Sequence, residues 1–493
     1  MKRVFTIALV WMAGLMCGNV ANAQFNETNS LFYHTMRTPQ SNLLNAAFFP
    51  TNNTWYVTLP GVDVQFGSPL SLSNIMHYDR TTQTTVINID SVLDHLTDNN
   101  KLRFGANVNI FGFGFRVNNT TVNLSTRLVN NISLGLPIST VNALRGGNVD
   151  ENGNVRSVVE LLDGDILNAT SYMEAGLGVS HCIKPINLTV GVRAKLLFGV
   201  ANVQTDKTRL EFNTDPSMDS VTARMYYEIQ AAAFAPYDTA GKKFDINIGN
   251  IFSQANTGLA FDLGARYDWG PFSFSLAIND LSAGIHWKNN VYTWSPQGGQ
   301  GVIEFNGLDI NTILNNGTFN VDSLTTYLED RLNEMTPTMK DSGDYWFSIP
   351  TKVYLGANYN FARFLRAGFL FHGQFDRGLL SKSNPTYTDD DVTNTFRWNT
   401  TLSIGANLSD WIEAIAGNSI VYDGNSMDFF NPGFGLILTP GRFFQLYFMA
   451  DYISSLYLTD SKAFNMKVGL NFLFGNGGRE TIGSGAFSKS NIE

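Results

Sequence analysis

Phe464-Asn-Met-Lys-Val-Gly-Leu-Asn-Phe-Leu-Phe474 decides the fold. Phe464, Met466, Val468, Leu470, Phe472 and Phe474 share one face. Asn465, Lys467, Gly469 and Asn471 share the other, with Leu473 the one apolar residue among them. Strict alternation over this stretch is a β-strand with one apolar and one polar face. Strands of soluble sandwiches usually run about five or six residues. A strand of about ten residues ending in aromatics is long enough to cross a bilayer at a tilt. The chain should then hold an even set of such strands and an export signal.

The export signal is at the start. Lys2 and Arg3 precede the apolar run 4–16, and Ala21-Asn22-Ala23 is a small-residue cleavage site. Residues 1–23 read as a secretory signal peptide. Removing Lys2 and Arg3 takes the formal net charge from −9 to −11. That acidity argues against nucleic acid as a partner. Only Cys182 remains beyond residue 23, so no intramolecular disulfide and no cysteine metal site is expected. No later stretch is apolar for about 18 residues, so helical spans are not expected.

Residues 24–54 lack a period of two and form either an N-terminal plug inside a barrel or a poorly ordered terminus; their apolar content favours the plug. Fourteen candidate strands follow: 55–66, 103–116, 121–136, 171–183, 186–199, 257–269, 272–282, 348–360, 364–375, 395–407, 410–422, 432–439, 442–453 and 464–474. A phase shift near Ile110-Phe111 predicts a bulge. Pro60-Gly61 predicts a kink or an interrupted ladder in the first strand. Residues 475–493 form a Gly/Ser-rich tail.

The connections alternate. Junctions 117–120, 184–185, 270–271, 361–363, 408–409 and 440–441 carry hairpin residues. Junctions 67–102, 137–170, 200–256, 283–347, 376–394, 423–431 and 454–463 are mostly long. Short turns on one side and long loops on the other is the asymmetry of an outer-membrane barrel. The reading is all-β: a 14-stranded antiparallel transmembrane β-barrel over 55–474, with an N-terminal plug and helices in the outer loops. It places the chain in the bacterial outer membrane, with membrane lipids around it. The even count requires 209–212 and 221–229 to form a hairpin on an outer loop; if both cross, the strands number sixteen. Helical stripes are expected at 321–335, with shorter turns at 91–96 and 156–167. Trp55, Tyr56, Trp269, Trp411 and Tyr452 are expected in interfacial girdles.

No enzyme constellation stands out. The six histidines (34, 77, 95, 181, 286, 372) lack metal-ligand spacing, and no nucleophile elbow, His-Glu-x-x-His or P-loop is present. The reading is a non-enzyme without a cofactor or metal, although a dispersed Ser/His/Asp set leaves no motif. Asp389-Asp390-Asp391 suits either a Ca²⁺ ion or a solvated charge run, and lacks the spacing of a Ca²⁺ loop.

With the apolar face of each strand outward, Arg127, Arg193, Lys195, Arg266, Lys352, Arg366, Arg397 and Lys467 face the lumen, opposed by Glu174 and Asp262. Basic rings in a pore favour anions. The lumen then offers a path for an anionic head group, or its cations pair with loop carboxylates and plug carbonyls. Both readings stand at this point.

The signal peptide, the plug with Ser41-Asn-Leu-Leu-Asn-Ala-Ala-Phe-Phe-Pro50, the following Trp55-Tyr-Val-Thr-Leu-Pro-Gly61 and the strand count resemble the FadL-type barrels. More narrowly they are similar to a Bacteroidetes-type branch, a domain of unknown function covering nearly the whole mature chain. The resemblance implies a plugged barrel with a lateral opening at a strand kink, for which Pro60 and Gly61, where the first strand meets the last, are the candidates. It also implies passage of fatty acids or other hydrophobic or amphipathic small molecules. The family's Asn-Pro-Ala plug motif maps onto Asn45, Ala46 and Ala47, followed by Pro50; its proline is absent here. A related branch serves as a secretion-system subunit. The alternative is therefore a non-transporting barrel whose outer loops dock secreted or surface proteins. The aromatic end Phe472 and Phe474 reads as the signal for the barrel-assembly machinery.

Overall fold

The computed structural model describes residues 30–475, apart from 36, 51–52, 80–82, 88, 97–99, 147–157, 165, 206–207, 215–220, 236, 239–242, 245–255, 297–300, 306–313, 316–317, 320–336, 342, 363, 376–378, 380–395, 423–426 and 453–461. The signal peptide, the helical stripe at 321–335, Asp389–391 and the tail 476–493 lie outside the described residues.

Fourteen antiparallel strands close into a barrel. The first, β1, has two segments, Trp55–Thr58 and Gly61–Gly67. Then come β2 (Lys101–Val117), β3 (Thr120–Gly135), β4 (Leu167–Ile183), β5 (Leu188–Thr205), β6 (Asn256–Trp269) and β7 (Phe272–Trp287). The eighth, β8, is again divided, into Tyr345–Ser348 and Thr351–Ala362. The rest are β9 (Leu365–Phe375), β10 (Phe396–Ser409), β11 (Ile412–Tyr422), β12 (Met427–Leu438), β13 (Phe444–Asp451) and β14 (Ala463–Phe474). Strand order follows the chain, and β14 returns to β1, with Trp55 opposite Phe474 and Val62 opposite Val468. Among the described residues no helix is long and apolar enough to cross a membrane.

Local chemistry explains the turns. The short connections need left-handed residues, and Asn118, Asn187, Gly270 and Gly441 supply them with φ of 54°, 51°, 55° and 64°. The outer surface is apolar: Val190, Val192, Leu196, Leu259, Phe261 and Leu263 are all exposed. On a water-soluble protein that area would be a liability; against hydrocarbon it is the stable face. From Phe464 to Phe474, β14 advances about 33 Å, or about 25 Å along the normal at a tilt of about 40°, the height of a hydrocarbon band.

The first strand holds a bulge, not a break. Between Thr58↔Asn471 and Val62↔Val468, four steps along β1 match three along β14. Leu59 N still donates to Leu470 O at 3.0 Å. Against β2 the register is unchanged, from Thr58↔Gly112 to Gly61↔Asn109. Next to it, the register of β2 against β3 shifts between Asn109 and Phe111, where the sequence predicted a bulge.

The outer side carries more structure than turns. Thr208–Thr214 pairs with Val221–Tyr226 in a separate sheet with Val158–Gly164 and Gly301–Phe305. That hairpin stands outside the barrel, so the strand count is fourteen and not sixteen. The expected helical turn at 156–167 is instead the strand Val158–Gly164, because it finds a ladder partner in Thr208–Thr214. The turn expected at 91–96 falls in the helix Ile89–His95, and a helix Ile138–Gly146 adds to it. Two girdle residues are corrected. Tyr56 and Tyr452 are buried, Tyr56 against Phe49 at 5.3 Å and Tyr452 accepting from Asn399 at 2.5 Å. Tyr56 follows the outward Trp55, so the strand period turns it inward.

Candidate functional site: the filled lumen

The lumen is stacked in layers from the short-turn side to the outer side. The lowest is the N-terminal segment. A helical turn (Ser30–Tyr33) and a 3₁₀ turn (Pro39–Leu43) carry it, and nearly every described residue from 30 to 50 is buried. Irregular chain inside a barrel must find partners for its backbone. Its short polar side chains supply many of them. Thr35 Oγ1 donates to Phe32 O at 2.7 Å, Ser41 Oγ to Thr38 O at 2.8 Å and Asn42 Nδ2 to Phe48 O at 2.5 Å.

The wall makes room for this segment with glycine. A Cβ built on Gly191 would lie 2.2 Å from Ala46 O, and one on Gly264 would lie 2.2 Å from Asn45 Oδ1. The same holds farther round: Gly356 faces the Tyr33 ring, Gly368 faces His34, and Gly417 and Gly433 face Leu31. Asn45 locks the turn. Its Oδ1 accepts from Ala47 N at 2.9 Å, and its Nδ2 donates to Tyr33 Oη at 3.1 Å and Leu276 O at 3.2 Å. Pro50 ends the segment, its carbonyl accepting from Arg116 at 3.2 Å. Tyr33 stacks on Tyr354 at 5.4 Å, which stacks on His372 at 4.3 Å. His34 donates through Nδ1 to Asn358 Oδ1 at 2.7 Å. Burial drives the His34 pKa down to about 4, helped by the Arg366 guanidinium and opposed by the Asn358 bond, so the ring stays neutral.

The middle layer is ionic. Lys195 Nζ lies 2.7 Å from Asp262, 2.5 Å from Asp280 and 3.9 Å from Glu174. Lys352 reaches Asp280 at 3.2 Å, Arg127 reaches Glu174 at 3.1 Å and Arg193 reaches Asp262 at 3.4 Å. Arg193 also donates to Asn42 O at 2.9 Å, tying the N-terminal segment to the network. Six strands from β3 to β8 each contribute. Desolvating such charges costs several kcal/mol per ion, so the layer holds only because each charge is met by an opposite one.

Asp280 takes part because its strand is distorted. Asp280 and Ser282 have φ of 61° and 56°, left-handed positions that cost a non-glycine residue about 1 kcal/mol or more. Opposite them Pro350 divides β8, having no N–H to give. The broken ladder is repaired from elsewhere. Thr351 Oγ1 donates to Asp280 O at 3.0 Å, and Leu379 accepts from Ser282 N at 2.9 Å while donating to Thr351 Oγ1 at 2.8 Å. The β7–β8 ladder is interrupted between Asn279↔Lys352 and Gly284↔Ser348, whereas the β1–β14 ladder runs on past Pro60 with one extra residue.

The upper layer is apolar. Val129, Tyr172, Leu197, Ala260, Ile285, Trp287, Tyr345 and Ile349 pack together inside the barrel, on the outer side of the ions. The Trp287 ring lies over Gly199, and Tyr345 Oη donates to Asn202 Oδ1 at 2.6 Å.

The eight basic residues read from the sequence all point inward, but they do not form one ring. Arg127, Arg193, Lys195 and Lys352 meet in the ionic layer. Arg266 bonds Asp268 at 2.9 Å nearer the short turns. Arg366 pairs with Glu413, which also faces Arg37 of the N-terminal segment at 3.8 Å. Lys467 pairs with Asp63, its cross-strand neighbour, at the closing seam. Arg397 is buried beside its cross-strand neighbour Gln374. The expected opposition of only Glu174 and Asp262 is therefore corrected: Asp63, Asp268, Asp280 and Glu413 join them. Periodicity missed Asp280 because the bulge resets its phase. It missed Glu413 because the inner face of β11 is itself apolar, with Ile415 and Val421 buried beside it. Pro60 and Gly61 lie at the β1 bulge, and Gly61 leaves space for the Tyr447 hydroxyl. Among the described residues no group of three or more His, Cys, Asp or Glu is placed to hold a metal ion.

Solved outer-membrane barrels are similar to the chain at low identity. The Ralstonia pickettii toluene transporter TbuX is 10% identical, with 89% of this chain and 94% of that chain covered at a TM-score of 0.43. The Pseudomonas putida toluene transporter TodX is 10% identical over 93% and 95%, at 0.39. A Pseudomonas aeruginosa FadL homologue is 9% identical over 92% and 100%, at 0.45. The barrel stands on its own strand order and register, independent of these distant likenesses. No curated protein matches the sequence. One sequence family does, over residues 47–451, from the Asn45–Ala47 turn to the end of β13, and the chain belongs to it: DUF5723, a family of unknown function.

Proposed function

We propose that this barrel resides in the bacterial outer membrane and handles hydrophobic or amphipathic small molecules. The observation that carries the reading is the apolar layer inside the lumen. A water-filled pore lines its interior with polar side chains. Here Leu197, Ile285, Trp287 and Tyr345 cluster above a fully paired ionic layer. A hydrophobic molecule entering from the outer side would meet apolar contact first and charge only at its far end. The N-terminal segment closes the axial route beneath, so the reading directs a ligand sideways, through the altered β7–β8 seam.

Two measurements test it. Gentle purification followed by mass spectrometry of retained small molecules should return hydrophobic species. Leu197→Asp, which sets a charge in the apolar layer, should lower vesicle uptake of such species about tenfold or more. Uptake unchanged in a folded Leu197→Asp barrel would overturn the reading.

A second reading rests on the outer sheet of Val158–Gly164, Thr208–Thr214, Val221–Tyr226 and Gly301–Phe305. That platform exceeds what a simple pore needs, and it suits a barrel that docks secreted or surface proteins. Cross-linked purification yielding a stoichiometric protein and no retained hydrophobic molecule would favour it.

A further inference from the structure

The outer loop between β1 and β2 ends in a small hairpin, Met76–Asp79 paired with Thr84–Ile87. Met76 stands opposite Ile87, His77 opposite Val86, Tyr78 opposite Thr85 and Asp79 opposite Thr84. Alternation then puts Met76, Tyr78, Thr85 and Ile87 on one face and Thr84 and Val86 on the other. The first face has no charged residue, and it is open: Met76 is 48% exposed, Tyr78 55% and Ile87 66%. Leu72, on the helical turn that leads into the hairpin, is 52% exposed. A lone two-stranded hairpin is marginal in water, and an uncovered apolar face makes it more so.

Its place in the chain indicates the cover. β1 ends at Gly67, one residue after Phe66, which stacks on Phe464 at 5.8 Å. At most about 17 Å of extended chain joins Gly67 to Leu72. On the neighbouring strands the exposed pair Leu102 and Leu134 carries the apolar exterior up to the rim. The base of the hairpin is fixed to that rim. Leu70, Val92, Leu96 and Val141 form a buried cluster with Ile75, Leu136 and Ile138, and Leu136 directly follows β3. The hairpin is thus rooted at the outer end of the lipid-facing band, beside β1–β3. Tyrosine with an apolar body and a polar tip suits the head-group region.

We propose that the Met76/Tyr78/Ile87 face rests on the outer leaflet of the membrane beside β1–β3, as an interfacial foot of the barrel. The proposal rests on the outer-membrane placement argued above, and it is independent of what the barrel carries.

Site-directed fluorescence in the protein without residues 1–23 tests it. In a Cys182→Ser background, Ile87→Cys, Thr84→Cys and Val192→Cys are each labelled with an environment-sensitive dye and refolded into phosphatidylcholine vesicles. Nitroxide lipids with shallow or deep quenching groups are then compared. Val192 lies on the exposed face of β5 and reports the barrel wall. The expected result is Val192 quenched by the deep probe. Ile87 should be blue-shifted and quenched at least twofold more by the shallow probe than by the deep one, and Thr84 less than Ile87. Ile87 unquenched while Val192 is quenched overturns the foot and leaves the membrane placement intact. Val192 unquenched in a folded barrel overturns the placement and the foot with it. A blue shift at Ile87 that grows with protein concentration, without lipid quenching, assigns the face to a second copy and also overturns the proposal.

Discussion

Gly191 and Gly264 are direct cross-strand partners on β5 and β6, and together they leave the space that the Asn45–Ala47 turn fills. A side chain at either would meet that turn at 2.2 Å, a separation real Cβ atoms essentially never show. Gly264→Val should therefore release the turn while the strand pairing survives. Overpacking of this kind costs about 1–3 kcal/mol. Limited proteolysis should cut the N-terminal segment at least tenfold faster, and planar-bilayer conductance should rise. Gly67→Ala is the control, since nothing lies within 4 Å of its would-be Cβ. Equal protection of both variants would show that the glycine pair does not seat the segment.

The same segment should loosen in acid. His34 is neutral and buried, with its pKa pushed to about 4 from an ordinary 6.5. Above pH 6.5 both the seated and the released ring are neutral, so nothing is lost. Between 6.5 and about 4 only the released ring binds a proton, and the seated state loses stability as pH falls, by roughly 3 kcal/mol at the end of that window. Protease protection of residues 30–50 should drop across that window, and His34→Gln should flatten the dependence. A profile identical in both proteins would assign the acid response to other groups.

Asp280 holds Lys195 and Lys352 at once. Asp280→Asn keeps the shape and removes the charge: Lys195 keeps Asp262 and Glu174, while Lys352 loses the carboxylate it reaches at 3.2 Å. Breaking a buried pair from one side costs about 3–5 kcal/mol. The temperature at which the folded barrel band is lost in gel-shift assays should fall by several degrees. Adding Lys352→Met should recover part of that loss, because neighbouring charges couple by about 0.5–3 kcal/mol. A double variant as unstable as the sum of its parts would deny the coupling.

The barrel was legible because its signal is repeated. Membrane strands alternate on both sides of every short turn, as Ile186 to Phe198 and Leu259 to Trp269 do, and the Asn and Gly turn residues punctuate them. Strand ends were less legible: β5 runs on to Thr205, well past 199, because its outer end leaves the hydrocarbon and loses the need to alternate. The lumen was half legible. Alternation turns Lys195 inward but does not say what it meets, and Asp280 arrives only through two left-handed residues that no period of two contains. The glycine sleeve was illegible for the same reason. A glycine that spaces a strand from a distant turn looks like any other strand glycine until the turn is seated against it.

Two seams compete as the lateral route, and one experiment separates them. At β1–β14 the ladder runs on past Pro60, with one extra residue and a bond from Leu59 to Leu470. At β7–β8 it is interrupted by Pro350 and two left-handed residues, and Leu379 fills the gap. A seam already bridged by an outside residue has less to break before it parts. Cysteines at the cross-strand pair Ile285 and Phe347, just above the interruption, should lock β7 to β8 when oxidised in a Cys182→Ser background. Cysteines at Val64 and Met466 should lock β1 to β14 in the same way. If ligands leave through β7–β8, oxidation of the first pair lowers uptake of a hydrophobic tracer at least tenfold, reversibly on reduction, while the second pair changes it less than twofold. The opposite pattern would return the gate to Pro60 and Gly61, and equal loss from both would mean that the whole wall must flex for passage.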